Sequence, residues 1–145
     1  MLPLKSVTYV SRAAANLTDS EVFRIYKDAL DNNAFDAITG LLVYDGEAFV
    51  QIVEGTEVAL LDLFRRLRAD GRHSVLKIVD EREIMERSFR DWSMKLLRID
   101  RAHMNGVQTA EHLLRPGTDP SIRSMLLEVI GKMEKFSSDL PDNAD

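Results

Sequence analysis

The 145-residue sequence predicts an α+β fold, a ferredoxin-like βαββαββ sheet with two helices on one face, plus C-terminal helices. Three observations predict it. Strand-like runs alternate with two segments of helical period. Two apolar runs are joined by Asp45-Gly46, a pair that accepts the backbone of a tight hairpin turn. No long structureless connection interrupts residues 4–99, which suits one two-layer sheet-and-helix unit.

The elements follow in order. Leu4 to Val10 is a short β-rich run and reads as the first strand. Thr18-Asp19-Ser20-Glu21 is a capping box, in which the Thr and Glu side chains each satisfy a free N–H at a helix start. Val22, Ile25, Tyr26, Ala29 and Leu30 recur at helical spacing, and Asn32-Asn33 reads as the end of that helix. Ile38 to Tyr44 and Glu47 to Val53 form the hairpin. Glu54-Gly55-Thr56-Glu57 opens a second helix that carries Leu60, Leu63, Phe64 and Leu67 on one face and stops at Asp70-Gly71. Val75 to Val79 reads as a fourth strand. Asp91 to Ile99 reads as a fifth, with Trp92, Met94 and Leu96 on one side. Residues 1–100 are therefore expected to form one domain, and 101–145 a helical extension. That extension holds a short helix over 109–115 and an amphipathic helix over 120–136, started by Asp119-Pro120. Ser137 to Asp145 reads as a disordered acidic tail.

Composition removes several function classes. There is no cysteine, so disulfides, thiolate metal sites and thiol nucleophiles are excluded. Nineteen basic against twenty-four acidic residues leave a formal charge of −5, which disfavours nucleic acid as a partner. No apolar run has the ~18 residues that span a bilayer, and the first residues lack a signal-peptide pattern, so a cytoplasmic protein without membrane contact is expected. Glycine-rich phosphate loops and hydrolase elbows are absent from the sequence, and His103 and His112 have no metal-ligand spacing to a partner.

A few residues stand out. Gln51 interrupts an otherwise apolar strand, Ala48 to Val53. It either faces solvent or an edge, or it offers its amide to a ligand that presents a carbonyl and a ring nitrogen. Tyr9, in the first strand, is a core aromatic unless an acceptor for its phenol lies inside the fold; Gln51 on a neighbouring strand could be that acceptor. Asn32 and Asn33 terminate the helix, although one Asn suffices for that. Arg65, Arg66, Arg68, Arg72 and His73 make the only basic cluster, either a solvated face or a phosphate clamp. Trp92 and Met94 share one strand face, where core packing is the ordinary role.

Taken in order, Val7-Thr8-Tyr9-Val10-Ser11, Asn32-Asn33 leading into Ile38-Thr39-Gly40-Leu41-Leu42, Phe49-Val50-Gln51-Ile52-Val53-Glu54-Gly55, Arg72-His73-Ser74 and Phe89-Arg90-Asp91-Trp92-Ser93-Met94 resemble the BLUF family of blue-light sensors. The resemblance implies a flavin ring held between the two helices, with FAD as the cofactor and FMN or riboflavin as alternatives. It implies that Tyr9 donates an electron and a proton, and that the Gln51 amide lies between that phenol and the flavin N5/C4=O edge. Asn33 would bind the O4/N3 edge, with Asn32 close by. Arg66, Asp70, Arg72 and His73 would approach the ribityl-phosphate side, and Trp92 and Met94 would report the state of Gln51. A short stand-alone sensor, not an enzyme, is expected to signal through the last strand and helix 120–136 to an unidentified downstream protein. That helix would pack on the open sheet face or on a second copy in a homodimer. Two other classes compete: a flavin oxidoreductase, which needs a nicotinamide site, and a ferredoxin-like interaction module without chromophore, which leaves Gln51 unexplained.

Overall fold

A computed structural model describes residues 3–15, 17–90, 93–98, 123–125, 127–128 and 130–131. Its elements are β1 (Leu4–Ala13), α1 (Asp19–Phe35), β2 (Thr39–Tyr44), β3 (Ala48–Thr56), α2 (Glu57–Arg68), β4 (His73–Ile84) and β5 (Lys95–Arg98). They form one five-stranded sheet in the order β4-β1-β3-β2-β5. All pairings are antiparallel except β2 with β5 at the edge. The fold is the predicted ferredoxin-like α+β arrangement, with β3 at the centre.

Local chemistry accounts for each boundary. Thr18 caps α1 with the full reciprocal box: its side chain accepts from Glu21 N, and Glu21 accepts from Thr18 N. Thr56 caps α2 by accepting from Ala59 N. In the hairpin, Asp45 Oδ1 accepts from the backbone N–H groups of Glu47 and Ala48, and Gly46 takes a φ of 97°.

Several boundaries differ from the sequence expectation. β1 runs past Val10 to Ala13, and β3 runs through Glu54 and Gly55 to Thr56, so α2 opens only at Glu57. α1 runs through Asn32 and Asn33 to Phe35, and the left-handed residue after it is Ala37 at φ 55°. The two asparagines are therefore helical residues, not the terminator. β4 extends to Ile84 because it pairs along nearly all of β1, with register shifts at Thr8/Tyr9 and Val10/Arg12. β5 begins only at Lys95, so Met94 precedes the strand. Trp92, the helix over 109–115, His103, His112 and the tail lie outside the described residues.

Alternation along the strands splits the core into two. On one face Val7, Tyr9, Leu42, Phe49 and Val53 pack against Val22 of α1 and Leu60, Leu63 and Phe64 of α2. On the other, Val10, Leu41, Val43, Val50 and Ile52 pack with Phe89, Leu97 and Ile130. Of the C-terminal helix, residues 123–125, 127–128 and 130–131 are helical, and Met125, Leu127 and Ile130 lie on this second face. Both faces of the sheet are thus covered. Among the described residues no helix is long and apolar enough to cross a membrane.

Candidate functional site

The site grows from the central strand. Gln51 on β3 is the cross-strand partner of Tyr9 on β1 and of Leu42 on β2, so all three project to the helix-covered face. Gln51 is only 3% exposed, which removes the solvent-facing and edge explanations for its place in an apolar strand. Its Nε2 donates to Met94 Sδ at 3.6 Å, a soft and weak acceptor for a buried amide.

Tyr9 is 2% exposed, and its ring meets Phe64 edge-on at 5.4 Å. Burial, and to a smaller extent the Asp70 carboxylate, pushes its phenol well above the ordinary tyrosine range. The group is therefore a neutral O–H at any physiological pH.

Beside these two residues a cavity of about 240 Å³ opens between α1 and α2. Ile25 and Ala29 of α1 and Leu63 and Leu67 of α2 make its walls apolar, while Tyr9, Leu42, Phe49 and Gln51 form its floor. The volume is slightly below the ~300–1,000 Å³ usual for small-molecule pockets, as suits a ligand whose planar part enters and whose tail stays at the mouth. Ser11 Oγ lines the same space, is buried and makes no hydrogen bond. An unpartnered buried hydroxyl costs about 1–3 kcal/mol, which a polar ligand edge would relieve.

The mouth is charged. Arg66 donates to Asp36 at 2.9 Å and lies 3.4 Å from Asp62. Arg72 is held by Asp70, on both carboxylate oxygens, and by Asp28. The basic cluster is thus neither a bare solvated face nor an open phosphate clamp, since its cavity-lining members are already paired with carboxylates.

Of the residues expected to act together, Tyr9, Gln51, Asn32, Arg66, Asp70 and Arg72 do line the cavity. Asn33 is fully buried and does not line it; its Nδ2 donates to the Ser93 carbonyl at 3.0 Å, and its Oδ1 has no hydrogen-bond partner. Met94, just before β5, is buried against Gln51. His73 opens β4 opposite Ala13, and its side chain, like all of Trp92, lies outside the described part. Ser11 and Asp28 are additions. Ser11 had a readable signal, standing two residues after Tyr9 and hence on the same face. Asp28 had none.

The BLUF model, described as sensors of blue-light using FAD, matches residues 4–95. The chain belongs to this family. The photoactivated adenylate cyclase subunit beta of Euglena longa is 33% identical over 92 residues, which are 63% of this chain and 11% of that protein. Subunit alpha from Euglena gracilis is 34% identical over 86 residues, or 59% of this chain and 8% of that one. The chain therefore matches about a tenth of the length of these curated relatives. Among solved structures, the BLUF protein BlrB in its dark state is 32% identical with a TM-score of 0.69, over 92% of this chain and 98% of BlrB. Klebsiella pneumoniae BlrP1 with FMN and cyclic diGMP is 26% identical with a TM-score of 0.76, over 95% of this chain and 37% of that one. BLUF proteins are flavin-binding blue-light sensors, and the apolar slot with an amide and a phenol on its floor fits a flavin ring. Its walls are apolar where ring faces would lie, and Gln51 offers both donor and acceptor toward a ring edge.

Proposed function

We propose that this chain is a blue-light photoreceptor in which Gln51 changes its hydrogen bonding when a flavin seated between α1 and α2 is excited. One observation carries the reading: Gln51 and Tyr9 face each other across β3 and β1 on the floor of the cavity, both buried. Gln51 and Asn32, which line the cavity, and Asn33 are the amides that would hold the ring's polar edge. Arg66, Asp70 and Arg72, which line the cavity, and His73 would serve the tail side. FAD is the cofactor the family description supports; the FMN of BlrP1 and riboflavin share the same ring.

Excited flavin supplies a strong one-electron oxidant. Tyr9 would be the electron donor to a flavin bound there; because its phenol is too weak an acid to ionise beforehand, its Oη proton would follow the electron toward the ring edge through Gln51 and not precede it. Return of both restores the phenol. Gln51 is left rotated or in another tautomer. Rotation exchanges its Nε2 and Oε1, and the Met94 sulfur accepts a hydrogen bond but cannot donate one. The Gln51–Met94 bond therefore exists in one amide orientation and not the other. Met94 immediately precedes β5, whose Leu97 packs with Ile130 of the C-terminal segment, so the bond change has a short route to that segment. We assign this route as the relay to a downstream protein or to a second copy of the chain, with Trp92 as a further relay residue. In this reading residues 1–100 are the sensor and 101–145 the output, and no substrate turns over.

The assignment of Gln51 is tested by Gln51→Leu. The variant should still bind flavin and show an oxidised flavin spectrum, but blue light should no longer shift its absorption to longer wavelength. A normal, reversible shift in Gln51→Leu would overturn the amide's role.

A further inference from the structure

Arg72 is pinned at the cavity mouth. Its Nε and Nη2 donate to Asp70 at 2.7–3.1 Å, and its Nη1 donates to Asp28 Oδ2 at 3.0 Å. Asp70 lies in the turn after α2, and Asp28 lies on α1, so the guanidinium bridges the two sides of the slot. All three residues line the cavity. Charge counting is informative here: one arginine between two carboxylates gives the group a net charge of −1. A guanidinium in that position has little to offer a phosphate: three of its five N–H groups are committed to carboxylates, and the two that remain, one on Nη1 and one on Nη2, stand beside a group whose net charge repels an incoming anion.

We propose that Asp28 sets the phosphate preference of the flavin site by competing for Arg72, an inference that rests on the flavin-site reading above. With Asp28 ionised, the site takes the flavin ring while discriminating little between riboflavin and FMN, which differ only in the terminal phosphate. Without the Asp28 charge, Arg72 keeps its bidentate hold on Asp70 and turns Nη1 to the phosphate. Asp28 is thus a specificity-determining residue, and the half-exposed position of its side chain leaves it accessible to a phosphate arriving from solvent.

The test is competitive exchange. The full chain is incubated with excess riboflavin and FMN in equal amounts, freed of unbound flavin, and the bound ratio is read by chromatography after denaturation. Loosening of the α1–turn bridge acts on both flavins alike and cancels in the ratio. The wild-type chain should favour FMN by less than about threefold. Asp28→Asn should raise that preference by about fivefold, the scale of one unit charge near a phosphate at a partly solvated site, and high salt should reduce the gain. Adding Arg72→Gln to Asp28→Asn should return the ratio to the wild-type value. A larger preference in the wild-type chain, an unchanged ratio in Asp28→Asn, or a preference that survives Arg72→Gln each overturns the proposal. If neither flavin is retained by the wild-type chain, the flavin-site reading itself fails, and the inference with it.

Discussion

Replacing Glu54 by alanine removes the acceptor that ties the turn after β4 to the centre of the sheet. The carboxylate is 1% exposed and accepts from Thr39 Oγ1 at 3.0 Å, Ser88 N at 2.7 Å and Phe89 N at 2.9 Å. Arg87 reinforces the same junction by donating to Thr39 Oγ1 and to the Glu54 carbonyl. In Glu54→Ala the Thr39 hydroxyl can rotate to another acceptor, but the two backbone N–H groups cannot. Each buried N–H left without a partner costs about 1–3 kcal/mol, so the pair costs about 2–6 kcal/mol. A second cavity of about 130 Å³ lies beside Glu54 and Ser88, roomy enough to admit a water that re-pairs one of them. The expected loss is therefore at the lower end, about 3 kcal/mol, or close to 10 °C in melting temperature for a chain of this size. Urea unfolding of wild type and variant, followed by circular dichroism, measures it. A loss below about 1 kcal/mol would show that the carboxylate does not clamp the turn.

Three further outcomes follow from the same geometry. Ala37 sits at φ 55°, so Ala37→Gly should stabilise the fold by about 0.5–1 kcal/mol in urea unfolding; destabilisation would mean that the backbone there is not left-handed. The Tyr9 phenol is raised above its ordinary value of 10.0 by burial, so the folded chain holds that proton where the unfolded chain releases it. The contribution is complete below pH 10.0, and above it stability should fall by ~1.4 kcal/mol per pH unit for this group, a component that Tyr9→Phe abolishes in alkaline unfolding curves. Ile130 is 3% exposed against the second sheet face, and Ile130→Ala should cost about 2–4 kcal/mol if the C-terminal segment unfolds together with the sheet. An unchanged midpoint would show that the segment is detached in solution.

Much of this molecule was legible in the sequence because its signals are local. The capping box at Thr18, the Asp45-Gly46 turn and the period-2 strands specify their own geometry, and the ferredoxin-like order follows from their alternation. Gln51 was visible as an anomaly for the same reason, but its burial was not: whether a polar residue in an apolar strand faces helices or water depends on which strands flank it. The central place of β3 decides that. Asn33 misled because Asn is a common helix terminator, whereas here a tertiary hydrogen bond to Ser93 keeps it inside the last turn. The pairing of Arg72 with Asp28, 44 residues away, is likewise tertiary, and it leaves the arginine of an expected phosphate clamp shared between two carboxylates. Glu54 looked like the start of α2 and proved to be a buried anchor on β3, a role set by the return of residues 87–89 to the sheet.

The central claim is that Tyr9 drives a light-induced change at Gln51 on the cavity floor. The most direct measurement is the light-minus-dark absorption difference of the flavin-loaded full chain and of Tyr9→Phe. The wild-type chain should show a reversible shift to longer wavelength with the oxidised flavin spectrum retained, and Tyr9→Phe should bind flavin yet show no shift. A Tyr9→Phe chain that shifts and recovers like the wild type would contradict the account.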